Sequence, residues 1–395
     1  MRKHGLGMAG VMVAMGVVLT ATAQREAIAG GENTKALEVN HRNRAEQAVA
    51  RGLSYLVSAQ QADGGWKLRD DSHPAITAMV LKALILDPAY GPDHPAVQRG
   101  MEHLLTFVQP DGGIYVPSEG MNNYHTSVAI MALSASKDPG KRGRIKAAQD
   151  YLRELQWDEG EDYGGQSTWY GGQGYGSGKR PDLSNTQLML DALHDSGLST
   201  DDPAYRKALA FISRCQMLSE TNDQPFARGS SDGGFVYSPA NEGESKAGTE
   251  MVEDRPRLRS YGSMTYAGLK SMLYAKLDRN DVRVRKALDW IRRHYTLEQN
   301  PNMPDDQGKQ GLFYYYHTFA RALDAWGEDI LIDADGKPHR WRAELTDRLI
   351  SMQNQDGSWI NVADRWQEGN PHLVTAYAVL SLHAALGRDR MRDTP

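Results

Sequence analysis

One local pattern recurs along this chain and limits what it can fold into. A glutamine closes a helical stretch, a glycine-containing turn follows, and an aromatic or aliphatic residue comes next. The clearest copies are Gln60-Gln61-Ala62-Asp63-Gly64-Gly65-Trp66, Gln109-Pro110-Asp111-Gly112-Gly113-Ile114 and Gln353-Asn354-Gln355-Asp356-Gly357-Ser358-Trp359. Looser copies join Gln156 to Asp162-Tyr163-Gly164-Gly165, Gln216 to Asp232-Gly233-Gly234-Phe235, and Gln307-Gly308 to Gly311-Leu312-Phe313. After each turn a small-residue-rich apolar stretch carries a threonine near its start: Thr77, Thr126, Thr186, Thr265, Thr318 and Thr375. Repeated units of this size cannot bury their apolar faces singly and must pack on one another.

Each unit opens with an amphipathic helix, as over 45–58, 95–108, 203–217, 282–294 and 341–352. Asp202 before Pro203 supplies a cap ahead of proline at the first helical position, and Asp281 caps the next such helix. The helices after the turns, such as 75–86 and 374–386, are apolar nearly all round and must be buried on every side. Alternating helices of these two kinds are satisfied by an inner barrel inside an outer sleeve. The expected organisation is one toroid domain over 42–388, preceded by a flexible segment at 24–41 and followed by a disordered tail at 389–395.

The first residues read as a targeting signal. Arg2, Lys3 and His4 precede an apolar run from Leu6 to Leu19, and Ala21-Thr22-Ala23 gives a small-x-small cleavage pattern. Residues 1–23 are therefore expected to be a secretory signal peptide, with the protein exported to the periplasm or exterior and no membrane span left after cleavage. Acidic side chains outnumber basic ones, 50 to 45, which leaves no electrostatic footprint for nucleic acid. The single cysteine, Cys215, excludes an internal disulfide framework and a cysteine-cluster zinc site.

With its glutamine–glycine–tryptophan turns in register, the chain resembles the terpenoid cyclase and protein prenyltransferase superfamily from about Arg42 to Leu386. The resemblance implies an all-α fold, an α/α toroid of six helical hairpins, in which the turn glutamine stacks on the aromatic ring and ties neighbouring helix ends together. It also defines departures. Class II cyclases of that superfamily start the reaction with an acid in Asp-x-Asp-Asp-Thr, whereas this chain reads Asp182-Leu183-Ser184-Asn185-Thr186. Ser184 and Asn185 are far too weak as acids to protonate an alkene, leaving Asp182 as the candidate catalytic acid beside its structural reading as a helix cap. The prenyltransferase zinc ligands are missing too, since the matching stretches read Tyr314-Tyr315-Tyr316-His317-Thr318 and His372-Leu373-Val374-Thr375.

Two long connections, 157–181 and 219–259, fall between an outer helix and the inner helix after it. Both must emerge where the inner helices begin, and long loops gathered on one face of a repeat fold form its binding face. Inner-helix N-termini at the same end favour an anionic or polar ligand head. The candidate ligand-binding residues at that rim are Tyr124, His125, Tyr261, Tyr266, Tyr314, Tyr316, His317, His372 and Tyr377. Arg257 and Arg259 join them for an anionic head, with pairing to Glu250, Glu253 and Asp254 as the alternative. Eighteen tyrosines against six phenylalanines make the enclosed aromatic surface amphipathic. His125 and His317 stand in matched Tyr-His-Thr frames, which repeat symmetry explains; no metal and no cofactor is expected.

The expected function is an exported toroid that binds, with or without transforming, an elongated apolar isoprenoid- or terpenoid-like small molecule in a central funnel. Three alternatives stay open: an acid-initiated terpene cyclase with a non-standard acid, a non-catalytic protein- or glycan-binding module, and a polysaccharide-active enzyme.

Overall fold

A computed structural model describes residues 39–389. The signal peptide and most of the flexible segment and terminal tail expected from sequence lie outside that range. No helix among the described residues is long and apolar enough to cross a membrane.

Among the described residues, twelve α-helices alternate between two layers. The outer layer holds α1 (39–58), α3 (Pro95–Leu105), α5 (Arg142–Glu154), α7 (Pro203–Cys215), α9 (Val282–Arg293) and α11 (Trp341–Met352). The inner layer holds α2 (Pro74–Ile85), α4 (Asn122–Ala135), α6 (Leu183–Asp195), α8 (Gly262–Tyr274), α10 (Leu312–Trp326) and α12 (Pro371–Ala385). Each inner helix packs on the next, and α12 returns to pack on α2, so the inner ring is closed. This is the α/α toroid implied by the resemblance. All twelve residues of α2 are buried, as a helix ringed by others requires.

The repeated residues now have individual tasks. The threonine hydroxyl accepts the backbone N–H of the residue after the turn, as in Trp66 to Thr77 at 3.1 Å and Trp359 to Thr375 at 3.0 Å. The glutamine amide donates twice. Gln60 reaches Gly64 of its own turn and Ala96 in the first turn of α3, each at 2.8 Å. Gln353 makes the same pair of bonds to Gly357 and to Ala48 of α1, which ties the last unit to the first. Gln109 departs from this, donating to Phe107 and Tyr115 instead.

The third unit corrects the sequence reading. Gln156 bonds to Gly171 and Ala204, so the turn is built at Gly171-Gly172 rather than at Gly164-Gly165. Gly171 has φ +78°, and a Cβ there would stand 1.7 Å from the Lys207 carbonyl oxygen, so no other residue fits. The fifth unit has no such turn; α10 begins directly after Gly311. Helix α1 also takes in residues 39–41, which the sequence assigned to the preceding segment.

The long connections are structured. Residues 219–259 carry the antiparallel hairpin β1 (Thr249–Val252) and β2 (Arg255–Leu258), and the α10–α11 connection carries β3 (Leu331–Ile332) and β4 (Pro338–His339). Arg214, at the end of α7, donates to the carbonyls of Gly165 and Ser167 and pairs with Asp223, pinning the two long insertions to each other.

Candidate functional site

A cavity of about 770 Å³ occupies the inner barrel. Every inner helix contributes N-terminal residues to it, including Ile76, Tyr124, Ser184, Met264, Tyr314 and Leu373. The 157–181 and 219–259 insertions wall its mouth through Tyr175, Lys179, Arg180, Tyr237 and Lys246. Met79, Val128, Met131, Leu188 and Leu380 give aliphatic sides deeper in. The funnel thus opens at the rim to which the sequence assigned the binding face.

Of the residues expected there, Asp182, Tyr124, Tyr261, Tyr314, His317 and Tyr377 line the cavity. The others do not, for reasons of helix geometry and pairing. Successive helical residues point about 100° apart, so Tyr314 faces inward while Tyr316 faces the outer layer and donates to the Leu297 carbonyl. Tyr266 packs within the wall against Tyr315 and Phe319. His372 sits at the α1–α2 loop with Nδ1 on the Lys67 carbonyl. Arg257 lies in β2 opposite Glu250, and Arg259 is 3.7 Å from the Glu250 carboxylate, so the pairing alternative describes Arg259.

Asp182 caps α6. Its carboxylate accepts the Asn185 N–H at 3.0 Å, the Asn185 amide at 2.8 Å and the Ser184 hydroxyl at 2.6 Å. Burial raises its pKa above the usual aspartate value, opposed by these donors and by Tyr237. The group is therefore a shielded carboxyl facing the funnel, whose conjugate base is already solvated by the protein.

Glu368 is a second buried carboxyl and was missed in the sequence. It reaches from the α11–α12 loop to cap α10, accepting Tyr314 N–H at 2.7 Å and Phe313 N–H at 3.2 Å. Asn361 donates to it at 2.6 Å. Burial raises its pKa to about 7 despite these donors. Trp366 and Gln367, just before it, both have positive φ without being glycine, the backbone strain that delivers Glu368 to the helix end.

At the opposite wall, His73 and His125 converge on Glu119, with Nε2 atoms 2.9 and 3.3 Å from one carboxylate oxygen. Three such groups could hold a metal ion. The backbone argues otherwise. The N–H groups of Ala75 and Val116 point at Nδ1 of His73 and His125, so the network assigns the ring protons to Nε2; that of His73 is donated to Glu119 at 2.9 Å, while His125 Nε2 lies 3.3 Å from the same oxygen without a hydrogen bond. Metal-binding imidazoles need the other tautomer. His125 therefore partners His73 and Glu119, while His317 lies against Tyr377, and the two do not share a site. Burial holds the pKa of His125 down to about 3 and that of His317 well below the usual range.

The floor is a buried charge network. Lys270 contacts Asp191 at 2.7 Å, Arg321 contacts Asp191 at 3.2 Å and Asp195 at 2.8 Å, and Lys82 contacts Asp195 at 2.8 Å. Asp389, placed in the tail by sequence, completes it with Lys82 at 3.0 Å and Arg321 at 3.3 Å. A signal for this existed. Lys82, Asp191 and Lys270 each stand five residues after the repeat threonine of an otherwise apolar helix, and buried charges need partners at the same level. Cys215 is buried with its thiol pKa pushed well up, so it does not act as a thiolate.

No protein-family profile and no curated protein matches this chain. Solved structures do. The chain is similar to the type II terpene cyclase MstE from Scytonema, with TM-score 0.57, 14% identity, and 88% of this chain and 99% of that one covered. It is also similar to an α-1,6-mannanase of Salegentibacter, with TM-score 0.56, 9% identity and coverage of 87% and 99%. A D-mannose isomerase matches at TM-score 0.54, 11% identity and coverage of 87% and 97%. These likenesses establish an α/α toroid, a fold shared by a terpene cyclase, a mannanase and a mannose isomerase. At such identities they speak for the fold alone.

Proposed function

We propose that the funnel binds an elongated, largely apolar molecule of isoprenoid type, with its chain along the barrel axis. The observation that carries this is the cavity itself: about 770 Å³, toward the upper end of ligand-cleft volumes, with aliphatic sides and a collar of tyrosines. Tyrosines present an apolar ring and a hydroxyl together, which suits a hydrocarbon bearing polar groups. The toroid shared with a terpene cyclase supports the same reading. Export, expected from residues 1–23, belongs to the proposal.

Native mass spectrometry of protein purified from its own host should detect a bound lipid or a mass shift on adding geranylgeraniol. Leu188→Trp, which fills the funnel without touching the charged floor, should weaken that binding by roughly tenfold or more. Protein that takes up no isoprenoid, or a variant that binds as the parent does, would sink the proposal.

A specific observation favours acid-initiated cyclisation as a second reading. Asp182 is a shielded carboxyl facing the same funnel, and Ser184, Asn185 and Tyr237 already donate toward its conjugate base. These donors offset part of the burial cost on the Asp182 anion, and the tyrosine faces would stabilise the cation that forms. Asp182→Asn should then abolish product formation from squalene, assayed by gas chromatography. Unchanged turnover eliminates Asp182 as the acid.

A further inference from the structure

The two insertions that wall the mouth bring three cations to it. Lys179 and Arg180 come from one and Lys246 from the other, and all three line the cavity. Only one carboxylate answers them. Arg180 and Lys246 both pair with Glu244. Lys179 has no ion-pair partner among the described residues; its ammonium lies beside Gly120. One terminal nitrogen of Arg180, Nη1, is buried without any hydrogen-bond partner. Lys246 sits 4.3 Å over the Tyr237 ring, which fixes the ammonium at the funnel wall.

Asp182 and Glu368 also line the cavity, and each is already engaged by hydrogen-bond donors. The Glu119 carboxylate is engaged by the Nε2–H group of His73 at 2.9 Å, with His125 Nε2 3.3 Å away. Inner-helix N-termini lie on the same side, with those of α6 and α10 already capped by the Asp182 and Glu368 carboxylates. An excess of cationic donors therefore surrounds the entrance to an apolar funnel, with an unused guanidinium N–H and an unpaired ammonium among them.

We infer that the ligand is an amphiphilic oxyanion, its carboxylate or phosphate held at the mouth by Lys179, Arg180 and Lys246 and its apolar chain inside the barrel. The inference rests on the funnel-binding reading above and adds the head group to it. It also moves the anion site from Arg257 and Arg259, which lie outside the cavity, to residues whose function the sequence did not reveal. Arg180 can offer the N–H groups of Nη1 to such a head while Nη2 stays on Glu244, and the lysines act as point charges on either side.

The test compares three probes of one chain length: geranylgeranyl monophosphate, geranylgeranoic acid and geranylgeraniol, titrated calorimetrically below their aggregation limits. At least one anion should bind roughly 10- to 100-fold more tightly than the alcohol, the range expected for hydrogen bonds to charged groups, and the tighter one identifies the head. The preference should shrink as salt is raised. Lys179→Met combined with Lys246→Met should bring the anions to within roughly threefold of the alcohol, and Arg180→Gln should act in the same direction. Arg257→Gln should change none of the three affinities. Equal binding of anions and alcohol to the parent protein overturns the head-group inference and leaves the funnel reading standing. A preference that survives the double substitution, or that vanishes with Arg257→Gln, overturns it as well. Failure of all three probes to bind overturns both.

Discussion

Asp191→Ala should destabilise the protein by about 3–5 kcal/mol in equilibrium urea unfolding, the cost of removing one partner from a buried ion pair. Asp191 is nearly inaccessible and is the carboxylate facing both Lys270 and Arg321. Without it the Lys270 ammonium keeps only the Gln187 carbonyl oxygen, at 2.7 Å, as a close acceptor. Burial already holds the Lys270 pKa down to about 8, so its charged form has little solvation to spare. The penalty comes from the stranded cation and not from the lost attraction, which makes a second variant informative. Asp191→Leu combined with Lys270→Met removes both charges and should recover most of the loss, because apolar groups of similar volume commonly replace a buried pair at little cost. A loss below about 1 kcal/mol for the single variant, in the range of a solvent-exposed pair, would mean that the floor is wet.

The second large effect is a pH dependence carried by Glu368. Its carboxyl is raised from 4.5 in the unfolded chain to about 7 in the fold. Between those values the native state binds more protons than the unfolded state, so stability falls as pH rises through the window. Below about pH 4.5 the protonated group costs nothing extra; above about pH 7 the full penalty, about 3 kcal/mol, is in place. Glu368→Gln keeps the shape and removes the titration. Subtracting the unfolding free energies of the two proteins across pH 4.5–7.5 isolates the group, and the parent should lose ground to the variant throughout the rise. A difference that stays flat would show that the helix N-terminus and Asn361 fully compensate the buried anion.

Much of the architecture was readable from residue types. The threonine and glutamine positions marked the units, and their hydrogen bonds show why those two residues recur: each satisfies backbone groups at the junction of three helices. The reading slipped where a glycine pair was chosen by proximity to Gln156. Gly164-Gly165 looked right along the chain, but only Gly171 meets the Lys207 carbonyl closely enough to forbid a side chain.

The site was less legible. Tyr124, Tyr314 and Tyr377 line the cavity because they stand near the repeat threonine on the inward face of an inner helix. His125, Tyr266, Tyr316 and His372 share those neighbourhoods but point elsewhere, since one residue along a helix turns a side chain by about 100°. Arg257 and Arg259 were chosen from a cluster of like residues, and the hairpin directs that cluster away from the mouth. Glu368 had no local signal at all, because the helix it caps begins more than fifty residues earlier in the chain.

What the sequence determined by itself is the repeating unit, the two classes of helix and the end of the barrel that carries the long insertions. These follow from periodicity and backbone chemistry, which act over a few residues. Tertiary structure alone decided that the ring closes through Gln353 and Ala48, that six charges neutralise one another across the barrel floor, and that Lys179, Arg180 and Lys246 meet at one opening. Those outcomes depend on distances between residues far apart in the chain, which no local pattern encodes.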